Sequence, residues 1–335
     1  MISLASLFIV GMPRSGTTLL AGLLSAHSRL AVAPETGYFN WVWKPIERAG
    51  GFLRWNLVEF HLKRWFQRPT LAPLKLAESG AMEMFHHAWD KGQLTHHLIL
   101  ESILGGYAAN QGKEFWGEKS PEHFMYVPAI KSEFPDARII SIVRDPRDVH
   151  LSLAKVPWNR GNAFNHALQW REYQVMAKHY IKLYGSSFYQ LRYEDLIQNP
   201  SLELERLMQH IGLKFEPKML EQYHRQPLFD PSQEPWKNRA RMPIDPENRE
   251  KWRQGLKPDE LGIFSRVCGR YLRQHGYELP DNISCSPRKL MTGLDRQSIL
   301  WWARTRWRMR RNRDPWLDRP LAAAGKERNT SGPGT

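Results

Sequence analysis

The stretch that most constrains this chain is Leu4 to Val10, LASLFIV, a short, largely apolar run that stops at a glycine. It is far below the roughly 18 residues that a membrane span needs. Its lack of polar alternation predicts a strand buried on both faces, as in a parallel sheet. Directly after it come Gly11-Met12-Pro13-Arg14-Ser15-Gly16-Thr17-Thr18. Ser15 to His27 then reads as a helix, with Leu19, Leu20, Leu23 and Leu24 on one face. A glycine loop between a buried strand and a helix is the context an anion cradle requires. Gly11 and Gly16 let the backbone turn tightly, while successive N–H groups and the helix N-terminus attract negative charge.

The same alternation recurs along the chain. Arg138 to Val143, RIISIV, is a second buried strand that breaks at Arg144-Asp145-Pro146-Arg147-Asp148 and leads into a helix near Val149. Phe188 to Leu191 reads as a further strand and Pro200 to Ile211 as a helix. The expected fold is α/β: a P-loop-like three-layer arrangement around a central, mostly parallel sheet. Residues 38–110, rich in Trp and Phe, read as a helical insertion after the second strand, a natural place for a substrate pocket.

The 335 residues carry a net charge of +14, so anionic partners are expected. Residues 281–335 hold 12 Lys and Arg against 5 Asp and Glu, half of that excess. The chain therefore divides into a globular domain over 1–280 and a basic appendage over 281–335, whose small, polar end is expected to be disordered. Two cysteines, Cys268 and Cys285, neither build a zinc site nor indicate an oxidising compartment. The N-terminal MISLASLFIVGMPRSG lacks a basic n-region, so a cytoplasmic protein is expected.

Two residues separate this loop from a nucleoside-triphosphatase loop. Thr17 stands where that loop needs Lys, and the strand at 138–143 ends in Arg144 rather than a magnesium-binding Asp. The loop cation is Arg14. The segment resembles the sulfotransferases that use 3′-phosphoadenosine 5′-phosphosulfate (PAPS), whose donor loop P-(K/R)-(S/T)-G-T is matched by Pro13-Arg14-Ser15-Gly16-Thr17. With Arg and the following Thr-Leu-Leu it is most similar to tyrosylprotein sulfotransferases and their bacterial relatives. Glu35-Thr36 lies 21 positions after Arg14, where that group has its base, and Ser152 lies eight after Arg144, as in the family's second motif. Gly117-Glu118-Lys119-Ser120-Pro121, Tyr193-Glu194-Asp195-Leu196 and Lys251-Trp252 resemble further family elements, in family order.

The resemblance implies a PAPS-dependent enzyme that sulfates a hydroxyl without a metal. Glu35 would be the general base, with Arg14 and Lys119 stabilising the transferred group and the leaving phosphate. Pro13, Ser15, Gly16, Thr17, Thr18, Arg144, Ser152, Tyr193 and Lys251 would bind the donor. Independently, a strand over Leu30 to Ala33 parallel to the first would return Glu35 to the carboxyl edge of the sheet, level with the loop. Blander roles compete at several positions: a helix-start carboxylate for Glu35, a solvated helix face for Lys251, packing under the sheet edge for Tyr193, and salt-bridged capping for Asp145 and Asp148.

The sequence does not name the acceptor. A carbohydrate, glycolipid or small-molecule hydroxyl fits an enzyme without a secretory signal, with peptide tyrosine the remaining option. Trp301-Trp302 and the six arginines from Arg304 to Arg313 suit an acidic membrane or polymer. His86-His87 and His96-His97 lack the spacing of a metal site. Two other classes compete with the sulfotransferase reading: a metal-dependent P-loop kinase or nucleoside triphosphatase, opposed by Thr17 and Arg144, and a basic nucleic-acid-binding module, opposed by the order of the motifs.

Overall fold

Apolar residues in short runs build the sheet. In a computed structural model, which describes residues 6–74, 78–159, 161–226 and 228–280, five strands form. They are β1 (Leu7–Gly11), β2 (Leu30–Ala33), β3 (Phe115–Lys119), β4 (Arg138–Val143) and β5 (Phe188–Arg192). Their order is β2-β3-β1-β4-β5 and every neighbouring pair is parallel. All carboxyl ends therefore point the same way, which is the edge where ligands of such sheets bind.

Alternate residues of each strand feed opposite faces of the sheet. Phe8, Val10, Ala31 and Ile139 join a core with residues of the helices Trp55–Phe66, His96–Ala109, Ala163–Tyr184 and Pro258–Gln274. Leu7, Ile9, Leu30, Val32 and Ile140 pack instead with the helices Thr17–Ser25 and Pro200–Ile211. Both strand faces are buried, which is why these segments are continuously apolar rather than alternating.

The expected three-layer α/β fold is present, and 38–110 is largely helical, opening with a wide π-type turn at Phe39–Trp43. Three expectations need correction. Among the described residues the first strand is Leu7–Gly11 and includes the glycine, which pairs with Ile142, while Leu4 and Ala5 lie outside the described residues. The first helix begins at Thr17, because Arg14 (φ +73°) and Gly16 (φ +102°) lie in left-handed backbone that cannot belong to it. The strand β3 was not anticipated; it carries Gly117, Glu118 and Lys119 between β1 and β2. The basic appendage at 281–335 lies outside the described residues. Among the described residues no helix is long and apolar enough to cross a membrane.

Candidate active site

The loop's shape follows from its glycines. A Cβ on Gly11 would sit 2.7 Å from the Ile142 carbonyl oxygen, so β1 and β4 approach closely only because none is there. On Gly16 a Cβ would lie 2.4 Å from the Tyr193 ring, which packs beneath the loop. No side chain caps the helix that starts at Thr17, leaving its first-turn N–H groups to an anion. Arg14, a non-glycine at φ +73°, is fixed by its own side chain. Its Nε donates to Ser152 Oγ (3.0 Å) and a terminal nitrogen donates to the Trp236 carbonyl (2.7 Å).

A cleft of about 1010 Å³ opens over this loop, at the upper end of the range for small-ligand sites. Pro13, Arg14, Gly16, Thr17 and Thr18 line it from the loop, with Glu35 beyond β2. Arg144 and Ser152 enter from beyond β4, Tyr193 from beyond β5, and Lys251 from the late segment. Ser15 and Lys119 do not reach the lining. Ser15 Oγ is buried without a partner, while Lys119 is fully buried behind Glu35.

Glu35 is the electrostatic centre. Its Oε1 lies 2.5 Å from Lys119 Nζ and 2.9 Å from Lys237 Nζ. Burial alone would raise its pKa, but the two ammonium groups overcome that and hold it at about 2. Lys119, on β3, also donates to Thr18 Oγ1 at 3.4 Å, tying that carboxylate to the loop. The next residue, Thr36, is clamped by the buried Glu118 carboxylate, which accepts from its N–H (3.2 Å) and its hydroxyl (2.9 Å). His123 in turn bonds Glu118 at 3.0 Å. From the insertion, Trp65 Nε1 donates to the Thr36 carbonyl at 2.7 Å.

Arg144 lies at the carboxyl end of β4 with its guanidinium 4.4 Å over the Tyr193 ring. It donates to the Asn248 carbonyl (3.0 Å) and, at 3.4 Å, to that of Arg14, yet its buried Nε has no partner. Tyr193 thus does pack under the loop, and its hydroxyl accepts from Asn248 at 2.6 Å. Asp145 caps the helix Pro146–Leu153 and chelates Arg147, while Asp148, which also lines the cleft, accepts from the Trp252 N–H. Lys251 is exposed; partial burial and the nearby Arg239 and Arg144 charges lower its pKa. Cations crowded together at a cleft wall are poised for an anion.

Sequence reasoning missed Glu234, Trp236 and Lys237, which the short 3₁₀ segment Pro235–Arg241 and the residue before it bring over the loop. The clustered charges in EPWKNRAR were the available signal. Among the described residues, no three His, Cys, Asp or Glu side chains gather where they could hold a metal ion. His86 pairs with Asp90, and His96 bonds the Tyr38 hydroxyl.

A parallel sheet with a glycine loop at its carboxyl edge, opening on a cleft of arginines and lysines, defines an α/β protein built to bind a nucleotide-like anion. The family model described as "Sulfotransferase family" matches residues 6–217, and the chain belongs to that family. It is 26% identical over 227 residues to an uncharacterised protein of Aquifex aeolicus, covering 65% of this chain and 26% of that one. It is 34% identical over 110 residues to the omega-hydroxy-beta-dihydromenaquinone-9 sulfotransferase Stf3 of Mycobacterium bovis, 28% of each chain. The chain thus spans about a quarter of the length of these curated relatives. Among solved structures it is similar in fold to the sulfotransferase domain of the Synechococcus PCC 7002 olefin synthase (TM-score 0.59, 23% identity, 82% of this chain and 95% of that one). A sulfotransferase domain from the curacin biosynthetic pathway is similar too (TM-score 0.55, 21% identity, 82% and 98%).

Proposed function

We propose that this protein transfers the sulfuryl group of PAPS to an acceptor hydroxyl. The observation that carries the reading is one cleft that brings the loop cation Arg14 together with a carboxylate, Glu35, held between two lysines. The residues fit the donor: Arg144 has an unpartnered buried Nε, and Gly16 leaves backbone N–H groups open to an anion. PAPS supplies a sulfuryl group already joined to a good leaving phosphate. Arg14 carries the fixed charge and donor fork that stabilise the transferring group. Lys119 adds charge through Glu35 and Thr18. Glu35 takes the acceptor's proton, a contribution of roughly 10²–10⁴ in rate. Arg144, Ser152 and Lys251 bind the 3′-phosphate, and Pro13, Ser15, Gly16, Thr17 and Thr18 shape the cradle, with Tyr193 beneath it.

The catalytic domain in this reading is residues 1–280. Leu151, Val156 and Trp158 give the cleft an apolar wall beside these charges, which supports an acceptor whose hydroxyl sits on an apolar body. A relative named for a hydroxylated menaquinone supports the same class. A cytoplasmic enzyme with a basic appendage available to an acidic membrane or polymer is compatible with such an acceptor.

Arg144→Ala tests the donor assignment. Affinity for adenosine 3′,5′-bisphosphate (PAP) should fall by about 10- to 100-fold, the loss of a charged hydrogen-bonding partner. Affinity for adenosine 5′-phosphosulfate, which lacks the 3′-phosphate, should change less than about threefold. Equal loss for both ligands would assign Arg144 to the fold or to the 5′ end.

A further inference from the structure

Lys237 belongs to neither the loop nor the strand ends, and it is the second cation on the carboxylate read here as the base. Its side chain is only 7% exposed, yet it lines the cleft beside Trp236, whose carbonyl holds Arg14. It bridges two carboxylates, Glu35 at 2.9 Å and Glu234 at 2.5 Å, and Glu234 lies three residues before it on the same segment. Lys119 differs: it is fully buried on β3 and ion-pairs at contact distance with Glu35, while Glu234 acts on it only from longer range. Around Glu35 the charged groups are therefore Lys119 from β3, Lys237 and Glu234 from the late segment, Arg14 from the loop, and at longer range Arg68 from the insertion.

A carboxylate paired with two ammonium groups is a weak base until one of them leaves. Of these two lysines, Lys237 alone has a second carboxylate in ion-pair contact to keep when it does, and it alone belongs to the cleft lining. We propose that Lys237 is a further catalytic residue that exchanges Glu35 for the sulfuryl oxygens of bound PAPS while remaining tethered to Glu234. The inference rests on the donor assignment made above. PAP, which lacks the sulfuryl group, leaves Lys237 on Glu35, so the base stays masked until a transferable group is present. In the step that follows, the acceptor oxygen forms a bond to sulfur as its proton passes to Glu35. The bond from sulfur to the bridging oxygen breaks, and its electron pair stays on the phosphate of PAP. Glu35 then returns its proton to solvent, and Lys237 re-forms the clamp.

The exchange is measurable without an acceptor, by calorimetric affinities for PAPS and PAP in the unaltered chain and Glu35→Gln, each with Lys237 kept, changed to Met or changed to Arg. Glu35→Gln removes the competitor for Lys237, so PAPS should bind about tenfold tighter while PAP changes less than about threefold, a coupling of the size found between contacting charged groups. In the Lys237→Met background the gain should fall to about threefold or less, the share left to Lys119. Lys237→Arg, which keeps the charge, should preserve the full gain. PAP binding also reports that each variant is folded. The proposal is overturned if Glu35→Gln tightens PAPS equally with and without Lys237, or if PAP gains as much as PAPS. If the unaltered protein binds neither nucleotide, the donor assignment itself has failed.

Discussion

Glu35 sits part-exposed at the cleft wall between Lys119 and Lys237, and its proton affinity reports that clamp directly. Burial pushes the carboxyl upward, but the lysines win and bring its pKa from an ordinary 4.5 to about 2. A group whose pKa is depressed by folding stabilises the folded state above its unfolded pKa, and that contribution is lost as pH falls toward the folded value. The stability difference between the unaltered protein and Glu35→Gln should therefore be level above about pH 5 and shrink through acid, from about 4.5 toward about 2. Urea midpoints of both proteins at stepped pH values provide the measurement. A difference that is unchanged down to the lowest pH would mean that Lys119 and Lys237 do not act on this carboxylate. The loop residues follow the same logic of partners: Gly16 is required by the Tyr193 ring beneath it, and Arg14 tolerates its left-handed backbone because Ser152 and Trp236 hold its side chain.

At the scale of elements, the insertion reaches the turn after Glu35 through the bond from Trp65 Nε1 to the Thr36 carbonyl, beside the Tyr38 N–H on Thr36 Oγ1. Trp65 is fully buried, so replacing it with Phe keeps an aromatic core but strands that carbonyl, at a cost of about 1–3 kcal/mol. Thermal unfolding should register the loss, and sulfate transfer should slow because the Glu35-Thr36 turn is no longer pinned from that side. Unchanged stability and rate would show the insertion to be uncoupled from the base. This coupling was not readable in the sequence, although β1, β2, β4 and their helices were, because their burial is written in local apolar runs. β3 escaped because FWGEK ends in two charges whose burial depends on partners far back in the chain, Thr36 for Glu118 and Glu35 for Lys119, besides the nearby Ser120 and His123 on Glu118. Lys237 escaped for a related reason. The segment around it has no period, and its meaning comes from Glu35, some two hundred residues earlier. The motif residues were legible because their spacing resembles a family; that Ser15 and Lys119 stand behind the cleft rather than in it was not.

Over the whole molecule, in the proposed function, side-chain positive charge does the work that a bound cation does in a nucleoside-triphosphatase loop. Thr17 replaces the loop Lys, Arg144 stands in place of the strand-end Asp, and the cleft instead offers Arg14, Arg144, Arg239, Lys155 and Lys251. A donor neutralised by side chains at a partly open cleft is held by forces that salt screens. Raising the ionic strength from about 0.1 M to about 1 M shortens the screening length from about 10 Å to about 3 Å. PAP affinity should therefore weaken by about tenfold or more over that range, with the loss smaller in Arg144→Ala because one of the screened charges is already gone. Chelation by EDTA at constant ionic strength should leave both PAP affinity and sulfate transfer unchanged. Binding or turnover that fails in EDTA and returns with Mg²⁺ would favour a metal-dependent phosphoryl-transfer site. Affinity indifferent to salt would show that the nucleotide is held by its base and ribose rather than by the cations of this cleft.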